Sequence, residues 1–505
     1  MTISRITFSL ALALVLSACT DDESPPPAET RTITGHEGAH FRGLDSTLLG
    51  STAEDLHDVH YEALLQASDG GWQRLGGVGD RDGTFTIPGL PPTGHYLLRR
   101  GSGFYLWTDA DDIDLRVTLL GPPDPPSDYV GPVSVALTAT GLAPWHDDDE
   151  LGYHVPGALV YDTNAMGGAV ANAPAAGDTE LHGLEIDWLG RPLARASRGD
   201  PALFIQYQTT TGADGVAFRA PVRSLSLGTV EQHAGEVLRV EGEFTAPPAL
   251  PYRLAWRRSA FAALADAVAP GRARADFHDF AWNASPGARD EESWTVLEIP
   301  FLSFADALSA SADTDLDLAI EVPNPFPESW LVNQFVTSFA VDVALPDGSL
   351  PTQLGVGVGH RTRTRPAPDA PVVPMLTPAR APRLIPSAGG SERSLFEPQS
   401  GVGTTPTIRW DAPATGTPTS YRLRLLRADA TPTPPGSPGW YEAAVFLLPD
   451  DVTSLTIPPG VLADGNTYVA TLQALALAGE DVRTQPQRSS VEHAFADLVT
   501  ATFQP

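Results

Sequence analysis

Short runs of alternating apolar and polar residues, each closed by a proline or a glycine, fill most of this chain. The stretch "DGTFTIPGLPPTGHYLLRR", residues 82–100, shows the pattern. Phe85 and Ile87 alternate with Thr84 and Thr86, a Pro/Gly turn follows, and Tyr96 and Leu98 resume the alternation. Those four apolar side chains are expected to line one inner face. With 48 prolines and 46 glycines in 505 residues, long helices are disfavoured, because proline lacks the backbone donor and glycine gives up the most entropy on ordering. Further runs of this kind are "VSVALTATGL", "ALFIQYQTT", "EVLRVEGEFTA", "SWTVLEIPFL", "DTDLDLAIEV" and "SFAVDVALPDG". One helical segment stands apart, "SAFAALADAVAPG", with Ser259 as its expected N-cap and Pro270-Gly271 as its stop. The fold class expected is all-β, a multidomain chain of β-sandwiches with one short helical insertion in the central domain. A chain this long exceeds a single core and suggests about three domains.

The formal net charge is −30, which repels nucleic-acid phosphates and anionic lipid headgroups, so no nucleic-acid partner is expected. All the basic side chains are arginine, and lysine is absent. Cys19 is the only cysteine, which excludes an intramolecular disulfide and a cysteine-based zinc site. That cysteine follows a weakly basic start with Arg5 and an apolar stretch from Ile6 to Leu16, too short to span a bilayer but of signal-peptide dimensions. Leu16-Ser17-Ala18-Cys19 matches the bacterial lipobox, so the N-terminus resembles that of a lipoprotein precursor. The resemblance implies a signal peptide over 1–18 and Cys19 as the lipidated first residue of the mature chain. Several acyl chains at ~0.8 kcal/mol per buried CH₂ give a stable membrane anchor. Residues 19–31, acidic and proline-rich, read as a solvated tether. Thr20, where the enterobacterial sorting rule needs Asp for inner-membrane retention, points to the outer membrane, with its face left open.

Two further resemblances divide the body. Asp82-Gly83-Thr84-Phe85-Thr86-Ile87-Pro88-Gly89-Leu90-Pro91, followed by Gly94-His95-Tyr96 and preceded by Ile33-Thr34-Gly35, resembles the carboxypeptidase regulatory-like domain. This implies a small prealbumin-like β-sandwich over 32–120, an accessory module without catalytic residues. "STLLGSTAEDLHDV" stands as an insertion in that pattern. Near the C-terminus, Trp410, then Tyr421, Leu423 and Leu425, then Leu462, Gly465, Tyr468, Leu472 and Ala474 resemble a fibronectin type III domain over 387–505. The resemblance makes Trp410 the core tryptophan and Tyr468 the residue whose hydroxyl bonds the backbone upstream. Between them lie a central β-rich domain, 129–359, and a Pro/Arg-rich segment, 360–386, that reads as an extended linker.

"HEGAH", residues 36–40, matches the H-E-x-x-H pattern of zinc proteases. That chemistry needs both histidines on one helical face, whereas residues four apart on a strand lie ~13 Å apart. Gly35 and Gly38 in a β-favouring context predict strand and turn, and no third ligand follows in "FRGLDST". "WHDDDE", 145–150, "DADDID", 109–114, and Asp313, Asp315 and Asp317 offer carboxylates for a hard cation, but none completes a calcium loop. They read as solvated acidic faces; His57 and His60 make a weaker metal pair, and the Arg198-Gly199-Asp200 tripeptide a chance match. No nucleophile elbow, P-loop or dinucleotide fingerprint is present. No catalytic residue, metal or cofactor is therefore assigned. The expected role is binding or structural display by a lipid-anchored protein of the cell envelope, with an envelope polysaccharide or protein as ligand and the central domain as its recognition site. The alternative is a lipoprotein hydrolase, acting through HEGAH or within the central domain on glycans or peptides.

Overall fold

The computed structural model describes residues 29–505, apart from 45–46, 68–69, 121–129, 157–159, 163–168, 197–200, 212–216, 286–298, 306–312, 346–351, 368–369, 429–438, 478 and 489. Cys19, the tether up to residue 28, the proline-rich 121–128 and the Arg198-Gly199-Asp200 tripeptide lie outside the described residues. The chain is all-β and multidomain, built as β-sandwiches with one short helical segment. No helix among the described residues is long and apolar enough to cross a membrane.

In the N-terminal sandwich, strand Arg31–His36 pairs with Thr84–Leu90, and this sheet faces Tyr61–Gln66, Tyr96–Arg100 and Phe104–Thr108. Phe85, Ile87, Tyr96 and Leu98 are all buried there, as the alternation predicts, and the Phe85 ring stacks on Tyr61 at 4.2 Å. "HYEALLQA", ambiguous by period, is a strand. The insertion supplies strand Leu48–Ala53, paired antiparallel with Gly38–Arg42.

The central region contains two cores where one domain was expected. The first lies between the sheet carrying Val130–Thr140, Leu181–Pro192 and Val237–Glu243 and the strands Glu150–Val155 and Pro201–Thr211. In the second, the pair Ala249–Trp256 and Leu316–Pro323 covers Ala273–Ala284 and Leu331–Val343. Strand Pro201–Thr211 serves both, with Phe204 facing the first core and Ile205 and Tyr207 the second. A strand buried on both faces reads as an unbroken apolar run, which is the character of "ALFI", residues 202–205. The helical segment forms as two short turns, Arg258–Ala262 and Ala265–Val268. Ser259 is not its N-cap. Arg257 holds that position, and Ser259 lies in the first turn, where Asp315 from across the chain accepts its N–H at 3.1 Å and its hydroxyl at 2.8 Å.

The C-terminal sandwich buries Trp410, Tyr421, Leu423, Leu425 and Tyr468. The Tyr468 hydroxyl accepts the Ala463 N–H at 3.0 Å, upstream as anticipated. This sandwich is joined on both sides. Strand His493–Val499 pairs with Thr352–Thr362 of the central region, and Trp440–Pro449 pairs in parallel with Phe104–Thr108 of the N-terminal sandwich. The result is a 16-stranded sheet among the described residues, in the spatial order central, C-terminal, N-terminal.

The 360–386 segment, expected as an extended linker between separate cores, is packed over its described residues. Residues up to Thr362 complete a central strand, and Arg380–Ile385 pairs with Thr407–Asp411. Between them Val372 donates to the Ala255 carbonyl at 2.8 Å, and Val372, Leu376, Ala379 and Leu384 are buried. The prolines fix an extended backbone that needs few donors, and the interspersed aliphatic residues cover the core.

Candidate functional site

The HEGAH pentapeptide is strand, break and strand: His36 ends Arg31–His36, and Gly38 opens Gly38–Arg42. Gly38 sits at φ +142°, where a Cβ would fall 1.9 Å from the Thr52 carbonyl oxygen. The two imidazoles have separate partners, His36 near Asp112 at 3.9 Å and His40 on Ser51 at 2.8 Å and near Asp114 at 3.6 Å. Glu37 turns inward to Tyr61 and Arg100. The two imidazoles therefore have separate neighbours, and the glutamate that would activate a metal-bound water is bonded to Tyr61 and Arg100 instead.

The acidic runs also resolve by their partners. Asp111 pairs with Arg31 and Asp114 with Arg116, while Asp109 lies near Arg483. Asp315 anchors the helical turn, and Asp317 pairs with Arg257. His57 lies between Asp55 and Asp58, whereas His60 pairs with Glu62. Hydrogen bonding to Asp55 holds His57 above the usual imidazole range. In "WHDDDE", Asp147 and Asp148 are exposed but Asp149 is buried. A Thr-His-Asp alignment exists in the second central core, with Thr337 Oγ1 at 2.7 Å from His278 Nδ1 and Asp313 at 3.4 Å from Nε2. Thr337 and His278 are fully buried, so that hydroxyl is sealed from any substrate.

A polar groove of about 320 Å³ opens where the central strand Thr352–Thr362 meets the C-terminal sandwich. It lies on the outer face of the sheet. On Ser420–Ala428, Tyr421, Leu423 and Leu425 point into the core, so Arg422 and Arg424 point out. On the neighbouring strands Leu472 and Ala474 point in and Gln473 out, and Ala496 and Leu498 point in and Asp497 out. The register places Arg422 opposite Gln473 and Gln473 opposite Asp497, giving one transverse row of side chains. Asp497 accepts the Gln473 amide at 2.9 Å and the Gly357 N–H at 2.8 Å. Burial pushes its carboxyl up to about 6. Arg424 is held by Glu442 at 2.6 Å. Burial, reinforced by the adjacent Arg424, brings Arg422 down to about 10. The half-buried Trp440 closes one end, and Leu354 and Val356 line the central side.

Planar guanidinium, amide and carboxylate groups in a row beside an indole suit paired hydroxyls and a carboxylate on a flat, partly apolar ring. A larger cleft of about 630 Å³ over Pro251, Ile320 and Pro366 is chiefly apolar. The groove was not legible beforehand. Its residues appeared only as the polar half of alternating strands, and the strand that completes it comes from 60 and more residues upstream of them.

No protein-family model and no curated protein matches the chain. Among solved structures, the chain is similar to the streptococcal ancillary pilin at 9% identity and a TM-score of 0.12, over 68% of this chain and 98% of that one.

Proposed function

We infer that the chain is a lipid-anchored binding protein of the cell envelope, whose β-sandwich body presents the Arg422–Gln473–Asp497 groove to an acidic polysaccharide. The anchor rests on the lipobox ending at Cys19, which precedes the first described strand by only a short polar tether. The groove carries the binding reading. In a chain of net charge −30, Arg422 and Arg424, the latter shared with Glu442, concentrate positive charge on one sheet face, and the neighbouring amide, carboxylate and indole match a sugar ring. With every strand of the groove part of one continuous sheet, little is ordered on binding, so the site is preorganised.

The test uses the detergent-solubilised full chain and a panel of uronic-acid and neutral oligosaccharides. Acidic oligosaccharides are expected to bind, more weakly at high salt, and Arg422→Ala with Arg424→Ala to weaken binding by about tenfold or more, the effect of losing one or two charge-assisted hydrogen bonds. In cells, Cys19→Ser is expected to release the protein from the membrane fraction and abolish fatty-acid labelling. Equal labelling of wild type and Cys19→Ser would remove the anchor. Binding that ignores both arginine substitutions would remove the groove.

A further inference from the structure

We propose that His146, Asp148 and Asp149 form a divalent-cation site at the rim of the first central core, suited to a transition cation such as Zn²⁺ or Mn²⁺. Each of the three places one candidate ligand atom within 4.8 Å of the others. The second observation is the state of Asp149. Its side chain is fully buried, and its two oxygens are treated very differently. Oδ2 accepts the His146 N–H at 3.0 Å, the Gln206 amide at 2.9 Å and the Gln208 amide at 2.8 Å. Oδ1 is buried and has no hydrogen-bond partner. His146 Nδ1 lies 3.6 Å from it, too long for a hydrogen bond.

A desolvated carboxylate oxygen left without a donor is costly, and a cation is the partner that satisfies it. The surroundings fit that role. Gln206 is itself buried and fixed at both ends on the Ala143 backbone, donating to its carbonyl at 3.1 Å and accepting its N–H at 3.0 Å. Gln208 donates to the Pro144 carbonyl at 3.0 Å. The two amides therefore orient the Asp149 carboxylate from a different strand, as outer-shell groups orient metal ligands. His146 and Asp148 are exposed and close the site from the solvent side, which gives the ion an entry path. One imidazole with two carboxylates favours a borderline cation over calcium, whose sites use oxygen alone. The bound ion would fix the His146–Asp149 turn, which Gln206 and Gln208 already hold to strand Pro201–Thr211.

The test is calorimetric titration of the full chain with Zn²⁺, Mn²⁺ and Ca²⁺. It is made in a His57→Ala background, because His57 between Asp55 and Asp58 offers Zn²⁺ a second surface attachment. One Zn²⁺ or Mn²⁺ per chain is expected, with Ca²⁺ weaker and a cation-dependent rise in Tm. His146→Ala should weaken affinity by about tenfold or more, the scale on which a metal site loses affinity when its ligand shell is damaged. Asp149→Asn should abolish binding. Because His146 is exposed, its variant keeps the fold even where Asp149→Asn does not. Absence of stoichiometric Zn²⁺ or Mn²⁺ binding, or binding unchanged in His146→Ala, overturns the site and leaves His146 and Asp149 as an ion pair.

Discussion

The Glu37 carboxylate accepts the Tyr61 hydroxyl at 2.7 Å on one oxygen and the Arg100 guanidinium at 2.7 Å on the other, with the side chain almost fully buried. In the protease pattern this glutamate would act on a metal-bound water; here it secures one sandwich core. Replacing it by Gln leaves an amide facing a half-exposed arginine, so Glu37→Gln should lower unfolding stability by about 2 kcal/mol. His36→Ala and His40→Ala, each removing a surface contact, should cost within about 1 kcal/mol. Denaturant titration of the three variants checks this, and stoichiometric zinc lost from either histidine variant would reverse the assignment. The strand-and-turn character was legible from Gly35 and Gly38. The burial of Glu37 was not, since its partner Arg100 lies 63 residues away and no local period couples them. The same limit hid Asp149, which in sequence is one of three identical letters. Only the fold shows that Gln206 and Gln208 converge on it.

Among the elements, buried imidazoles decide the response to acid. On strand Glu150–Val155, His154 is fully buried against Tyr207, and burial brings it down to about 3. His360, on Thr352–Thr362 between Phe335 and Phe261, is brought down to about 4 by burial and by His493. Each folded value lies below the ordinary 6.5, so the unfolded chain binds these protons first. Their contribution is complete above about pH 6.5 and falls as the pH drops towards 4. Asp497, raised to about 6 by burial, works in the opposite sense, favouring the fold below about pH 4 and losing that contribution as pH rises through 6. His493 is likewise brought down to about 4 by burial, and burial also raises Asp279 and Glu480 in the sense of Asp497. The three imidazoles carry the larger displacements, so unfolding stability should fall between pH 7 and 4.5, by on the order of 2 kcal/mol for each buried histidine. His154→Gln should flatten this slope whatever its effect at pH 7. An unchanged slope would place the acid sensitivity elsewhere. Period-two alternation carried most of these strands in the sequence. It could not show that Pro201–Thr211 faces two cores, nor that the prolines of 360–386 frame buried valine and leucine. Both are decided by what packs across the chain.

At the scale of the whole molecule, chain order and spatial order differ, and the last sandwich in sequence stands in the middle. Its strand Trp440–Pro449 meets Phe104–Thr108, where Val445 donates to the Gly103 carbonyl at 2.7 Å and Phe446 stacks on Tyr105 at 4.7 Å. Around that seam Thr108 donates to the Arg483 carbonyl at 2.8 Å, Asp114 N–H to the Thr484 carbonyl at 2.7 Å, and Arg74 to the Pro459 carbonyl at 2.9 Å. The opposite edge is fixed by His493–Val499 on Thr352–Thr362, with Glu492 accepting the Arg363 N–H at 3.1 Å. A module with complete internal alternation therefore still has two sheet edges that other modules must close. Removing residues 29–120 bares one of them, with Phe446 and Leu447 beside it. Stability should then fall by about 3 kcal/mol or more, from the apolar surface returned to water. The open edge should also cause concentration-dependent association. Urea titration and sedimentation of residues 121–505 against 29–505 measure both effects. A monomeric fragment with an unchanged midpoint would mean that the seam contributes nothing and that the N-terminal sandwich is an independent bead.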